Sequence, residues 1–134
     1  MNKGMATTFS DIEQLFHSMP LTKYEIPESL EAEWLKIAVC DYELNLGIDL
    51  GYNSETLEFS GVLSTLAQRT LAQSMYCSYL QRELSRVMAL NGIYGSDITI
   101  TGMDSTKSTT KAELEEQRGI VEVLYHRQKY PAYN

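Results

Sequence analysis

The side chains in this sequence that most readily bind metals or act as nucleophiles are two histidines and two cysteines. His17 and His126 lie far apart in the chain, and neither has a second histidine or a cysteine at the spacing of a metal site. Cys40 and Cys77 lie in helical stretches beside apolar residues, which predicts buried, reduced thiols rather than a disulfide. We therefore expect no metal site and no cofactor.

Two groups of charged side chains are further candidates for chemistry. Lys107 and Lys111 lie in or beside a segment rich in serine and threonine and could contact DNA phosphates, although a solvated turn before a helix also explains them. Arg82, Glu83 and Arg86 favour ion pairs along or between helices, because catalysis would need a paired carboxylate or a cleft. The sequence contains no GxSxG, Walker A or GxGxxG motif, and we predict that the protein is not an enzyme.

The periodicity of apolar residues predicts that helices carry most of these side chains. The expected fold class is mainly α, a helical bundle with one long central helix and a short β-strand or hairpin. The length of 134 residues favours one domain. We predict a single domain, 1–134, made of a flexible N-terminal arm (1–9), a helical core (10–92), a strand (97–101), a loop (102–109), a C-terminal helix (110–129) and a tail (130–134).

The first two helices have recognisable start and stop signals. Ser10 and Glu13 form a capping box that opens the first helix, and Pro20 ends it. The second helix is predicted over 28–46, with Gly47 directly after its end. Its apolar stripe is predicted to contain Leu30, Trp34, Ile37, Ala38, Asp41 and Leu44, with Val39 and Tyr42 beside it.

The third helix, predicted over 61–91, is the longest element. This stretch contains no proline and no internal glycine, and two apolar rows run along it. Two rows predict burial on more than one side, and hence a central position. A helix of about 30 residues is about 45 Å long, whereas a compact domain of this size is only ~30 Å across. We therefore expect the helix to project from the domain or to pack against neighbouring subunits.

Residues 97–101 have a convincing strand pattern, since they are rich in β-branched residues, alternate in polarity and are flanked by glycines. A single strand cannot satisfy its own backbone hydrogen bonds. This segment must therefore pair with residues 48–59 or with another chain. Residues 48–60 fit either a small hairpin or a loop that leads into the next helix, and both alternatives remain open.

The last helix is predicted over 111–129, opened by a capping box of Thr110 and Glu113. The polar segment before it, 102–109, is predicted to be a loop. The aromatic tail, 130–134, is typical of short segments that dock on a partner.

The chain carries a formal charge of −7, and this charge is unevenly distributed. Residues 1–60 hold 11 acidic residues and three lysines, whereas residues 61–134 hold seven acidic and eight basic residues. The acidic balance argues against a broad electrostatic grip on nucleic-acid phosphates. The asymmetry fits surfaces that face different partners as well as simple variation among solvated faces. No apolar run approaches the ~20 residues that span a bilayer, so we expect a cytosolic protein with no membrane partner.

Two stretches support a comparison with a known family: 79–86, Tyr-Leu-Gln-Arg-Glu-Leu-Ser-Arg, and 97–103, Asp-Ile-Thr-Ile-Thr-Gly-Met. Together with the layout of residues 28–130, they resemble the head–tail connector proteins of tailed bacteriophages, also called adaptor, head-completion or neck proteins. The shared layout is a long central helix, a strand, a polar loop and a C-terminal helix. Such proteins form a ring, commonly of twelve copies, beneath the portal. The ring extends the DNA channel and docks the tail.

The resemblance implies a structural protein of the virion, assembled in the host cytoplasm as a homo-oligomeric ring. Its expected partners are further copies of itself, the portal protein, the next neck or tail protein, and DNA that passes through without sequence-specific contacts. Contacts with neighbouring chains are expected at Ile98, Ile100, Tyr130 and Tyr133, and contacts with DNA or between loops at Lys107 and Lys111. The alternative is a small helical adaptor or regulator, or a tail-assembly chaperone, that binds one protein partner.

Overall fold

The computed structural model of the protein describes residues 5–21, 25–94 and 103–129. These residues form four helices, α1 (Phe9–His17), α2 (Glu28–Leu46), α3 (Thr65–Tyr94) and α4 (Met103–Lys129). The prediction of a mainly α fold is confirmed. Within the described ranges there is no strand, and the β-type pairing consists of isolated bridges. The hairpin considered for 48–60 is therefore wrong, and the predicted strand 97–101 lies outside the described residues.

Helix α1 begins two residues earlier than the sequence predicts. Thr8, not Ser10, is the N-cap, and its hydroxyl accepts a hydrogen bond of 3.3 Å from the Asp11 backbone N–H. The Asp11 carboxylate accepts a hydrogen bond of 2.9 Å from the Thr8 N–H, which completes the capping box. The predicted box of Ser10 and Glu13 is wrong because the helix already includes Phe9.

The end of the predicted flexible arm, 1–9, is held in place by a loop from the middle of the chain. The Thr7 N–H donates to the Gly61 carbonyl at 3.1 Å, and the Phe59 N–H donates to the Thr7 carbonyl at 2.8 Å. Thr7 and Phe9 are both buried. The arm prediction is wrong for these residues because they satisfy the backbone of the loop and add Phe9 to the core.

Helix α2 has the predicted bounds, and the residue directly after it determines where it ends. Gly47 follows it in the left-handed conformation, with φ of 66°, and its N–H donates to the Glu43 carbonyl at 2.8 Å. The predicted stripe is only partly right. Trp34 and Ala38 are buried as expected. Ile37 and Leu44 are exposed instead, because the face that packs on the core consists of Glu31, Trp34, Leu35, Ala38, Val39 and Tyr42.

The loop between α2 and α3 is shaped by one asparagine and one glycine. The Asn53 side chain accepts hydrogen bonds from the Glu55 and Thr56 N–H groups, which closes a turn. Gly51 has φ of 63°, and a Cβ at this position would lie 2.2 Å from the Ser60 hydroxyl oxygen. Only glycine fits both the backbone angle and the close approach.

Helix α3 is the central element, as predicted, and has 30 residues. It contacts α1, α2 and α4, most extensively α4. Phe16 of α1, Trp34 of α2 and Tyr79 of α3 meet edge to face, with ring centroids 5.9 to 6.4 Å apart. One hydrophobic cluster contains residues from all four helices.

Helix α4 begins at Met103, so the predicted loop 102–109 is wrong for all residues from 103 onward. The predicted capping box of Thr110 and Glu113 is wrong for the same reason. The serines and threonines of this segment have moderate helix propensity, and no proline or glycine interrupts the helix before Gly119. Weak local preferences of this size are overridden when the helix packs along a neighbour, here α3.

Polar side chains fix the position of α4 against α3. The Gln128 amide donates to the Thr70 hydroxyl at 3.0 Å, and the Arg118 guanidinium donates to Gln81 at 2.8 Å. These two contacts show that α4 runs back along α3. Gln73 and Gln117 are also hydrogen-bonded, and the Tyr42 hydroxyl of α2 donates to Gln128.

Candidate functional site

The far end of the α3–α4 pair lacks cover from the rest of the described chain. Leu84 is the last buried residue of α3, and Leu114 is the first buried residue of α4, among the side chains that the structure describes. We call residues 85–94 and 103–113 the distal helix pair. Met88 in this region is half exposed. The described side chains of the distal helix pair, those of 85–89 and 107–113, are therefore exposed or half-buried against the described part of the chain.

A second open surface lies on α2. Ile37 and Leu44 are seven residues apart, which places them on one face of α2, and both are exposed, with Leu44 at 77%. We call these two residues the α2 apolar row. Single exposed apolar residues are common on proteins, whereas a row along one helix face is typical of an interaction surface.

A cleft of about 600 Å³ lies where α2, α3 and α4 meet. Two arginines, Arg82 and Arg118, and two acids, Asp41 and Glu122, line it. Tyr125 is buried there. Burial raises the pKa of Tyr125 to about 12, and a hydrogen bond with Ser74 acts in the opposite direction. The cleft offers charges of both signs to a polar partner.

A cluster of titratable groups joins α1 to α2. The His17 Nε2 lies 2.9 and 3.0 Å from the two carboxylate oxygens of Glu31. Glu31 is only 3% exposed. Ligand atoms of Glu13, His17 and Glu31 all lie within 4.8 Å of one another. Burial raises the pKa of Glu13, the hydrogen bond with Glu31 and the charge of Glu31 raise it further, and His17 lowers it.

This cluster was not predicted from the sequence. Neither histidine has a second histidine or a cysteine at the spacing of a metal site, and the side chains that surround His17 are carboxylates. The signal that was present is the four-residue spacing of Glu13 and His17, which places both on one face of a helix. The third member, Glu31, comes from another helix and could be assigned only from the packing of α2 on α1.

Two of the six residues predicted to contact partners lie in α4, and the other four lie outside the described residues. Lys107 and Lys111 lie one turn apart in the first part of α4, within the distal helix pair, with Lys107 half-buried and Lys111 exposed. Ile98, Ile100, Tyr130 and Tyr133 lie outside the described residues. The two lysines thus share one helix face rather than a loop.

The other predictions at the level of single side chains concern an ion pair on α3 and the two cysteines. Arg86 and Glu83 form an ion pair of 3.6 Å along α3, as predicted. Both cysteines are free thiols. The prediction that both are buried is wrong for Cys40, which is exposed because the face of α2 that carries it points away from α3, and Cys77 is half-buried.

No protein-family model, curated protein or solved structure matches this chain. Across the described residues, none of the helices combines the length and the apolar character that crossing a membrane requires.

Proposed function

We propose that this protein is a structural assembly subunit, and specifically a head–tail connector of a tailed bacteriophage. The observation that carries the proposal is the distal helix pair, where α3 and α4 continue past Leu84 and Leu114, the last buried residues among the described side chains. A helix surface without cover is completed when another chain packs against it. In a ring of copies beneath the portal, commonly twelve, each subunit supplies this cover to its neighbour.

The α2 apolar row supports the same proposal, because it gives the subunit a second contact surface on a different helix. A ring subunit needs two such surfaces, one for the copy on each side. In this arrangement the fold is a helical bundle around α3, and residues 97–101 add a strand to a neighbouring chain. Tyr130 and Tyr133 of the tail contact the portal or the next neck protein.

The uneven charge supports a separate role for the two halves of the chain. The acidic first half, residues 1–60, faces a DNA channel or a basic partner. Negative channel walls let DNA slide because they do not bind its phosphates. Lys107 and Lys111, on the distal helix pair, make the few contacts with DNA or with an acidic partner.

The proposal is tested in a phage that encodes this chain. Removal of the gene should give heads that are filled or leaking but have no tails, seen by electron microscopy. Supplying Leu44→Asp in trans should fail to restore tails, because a buried charge opposes contact between subunits. Val62→Asp is the matched control, since Val62 is 63% exposed and lies in the loop before α3. Tailed particles without the gene, or restoration by Leu44→Asp, would contradict the proposal.

The cleft between α2, α3 and α4 favours a second candidate, a small helical adaptor or regulator or a tail-assembly chaperone. Its mixed charges fit one polar protein segment. The two functions differ in whether the protein is part of the finished virion. A gel of purified virions contains the chain if it is a connector and lacks it if it is a chaperone.

A further inference from the structure

The cluster of Glu13, His17 and Glu31 has the donor atoms of a metal site. Two carboxylates and one imidazole are a common ligand set for first-row transition metals and zinc. Glu13 and His17 are one turn apart on α1, and Glu31 lies in the first turn of α2. Their ligand atoms are within 4.8 Å of one another, so a single ion between them could contact all three after small side-chain adjustments.

The burial of Glu31 is the second observation. A buried carboxylate is costly unless a positive charge compensates it. Among the described residues, the basic side chain in contact with Glu31 is that of His17. A divalent cation bound by both side chains would supply a compensating charge.

The surroundings leave room for the rest of a coordination shell. A cleft of about 480 Å³ borders the cluster, and Glu25 and Glu28 line it as well. Half of the His17 side chain is exposed on this side. Negative walls raise the local concentration of cations, and the open side admits water as further ligands.

We propose that Glu13, His17 and Glu31 bind one divalent transition-metal ion, of the Zn²⁺ class, that links α1 to α2. The imidazole favours Zn²⁺ over the hard cations Mg²⁺ and Ca²⁺, which prefer oxygen ligands alone. Because the ion joins two helices that are far apart in sequence, it stabilises the folded chain over the unfolded one. The inference does not depend on the proposed assembly function.

The test uses the full chain without an affinity tag, stripped of metal with a chelator and dialysed. Isothermal titration with Zn²⁺ should give one site per chain, and Zn²⁺ should raise the melting temperature, whereas Mg²⁺ should do neither. His17→Ala and Glu31→Gln should each weaken Zn²⁺ binding by more than about tenfold. His126→Ala, which changes an exposed histidine of α4, and Glu33→Gln, which changes an exposed acid of α2 outside the cleft, should bind as the original chain does.

Two further measurements keep the result decisive. Circular dichroism without metal shows whether each variant is folded, and Glu13→Gln replaces Glu31→Gln if the latter is not. Co²⁺ in place of Zn²⁺ gives visible bands, and a strong thiolate charge-transfer band would place the ion at Cys40 or Cys77 instead. The proposal is overturned by such a band, by equal binding of Mg²⁺, by undiminished binding in His17→Ala, or by the absence of saturable Zn²⁺ binding.

Discussion

The two cysteines show how strongly the surroundings of a single residue differ between similar stretches of sequence. Cys40 and Cys77 both lie in helices beside apolar residues. Cys40 is on the outer side of α2, whereas Cys77 lines the cleft between α2, α3 and α4. Burial raises the pKa of the Cys77 thiol to about 11, against a small lowering by Arg118. The thiol of Cys77 is therefore kept protonated, and unreactive, at neutral pH.

We predict two well-separated rates when a thiol reagent such as DTNB modifies the folded protein near pH 8. The fast rate belongs to Cys40, and Cys40→Ser should remove it. The slow rate belongs to Cys77, since a pKa of about 11 leaves about a hundredfold less thiolate than the ordinary value of 9.0. This slow rate should rise about tenfold per pH unit until the pH approaches the pKa. Equal rates for both thiols, or a slow rate independent of pH, would contradict the burial of Cys77.

At the scale of the helices, the starts of α1 and α4 differ from the predicted ones for different reasons. Two capping boxes overlap in the sequence at the start of α1, and Thr8 is the N-cap because Thr7 and Phe9 are held against the loop at 57–61. Helix α4 starts at Met103, before a predicted box at Thr110, because no proline or glycine stops it there and the serines and threonines are compatible with a helix. At the start of α1, contacts with another segment select among starts that the local sequence permits.

We predict that Thr8→Ala lowers the free energy of unfolding by about 1 kcal/mol, because the Asp11 N–H loses the hydroxyl that caps it. Ser10→Ala is the matched control, since Ser10 is an exposed residue inside α1 and should change stability by less than about 0.5 kcal/mol. Urea denaturation followed by circular dichroism measures both. A larger loss in Ser10→Ala than in Thr8→Ala would mean that the helix starts at the box read from the sequence.

At the scale of the whole molecule, the described core residues of the two longest helices occupy only part of each helix. Among the side chains that the structure describes, the buried residues of α3 extend from Ala67 to Leu84, and those of α4 extend from Leu114 to Tyr125. The described side chains of the distal helix pair are exposed or half-buried. Because local stability follows buried apolar contacts, this end of the molecule opens more easily than the centre.

We predict that backbone amides of residues 85–94 exchange with deuterium at least about tenfold faster than those of residues 71–80 in the isolated chain. Hydrogen-exchange mass spectrometry resolves the two segments, which belong to the same helix and differ mainly in cover. In assembled particles the difference should shrink, because a neighbouring chain covers the distal helix pair. Equal protection of both segments in the isolated chain would mean that the distal pair is stable without a neighbour.

The sequence by itself determined the features that depend on local chemistry. Helix α2 begins directly after Pro27 and ends directly before Gly47, and both of these bounds are the predicted ones. The central position of α3 follows from its two apolar rows, because a helix that is apolar on two sides must be covered on two sides. The mainly α fold follows from the same periodicity.

The tertiary structure alone decided which surfaces meet. It left Ile37 and Leu44 exposed although they are apolar, because the buried face of α2 includes Trp34, Leu35 and Ala38 instead. It also brought Glu31 to His17, which lies 14 residues earlier on another helix. No local pattern encodes such a contact, because the periodicity of a helix specifies its faces but not the element that each face contacts.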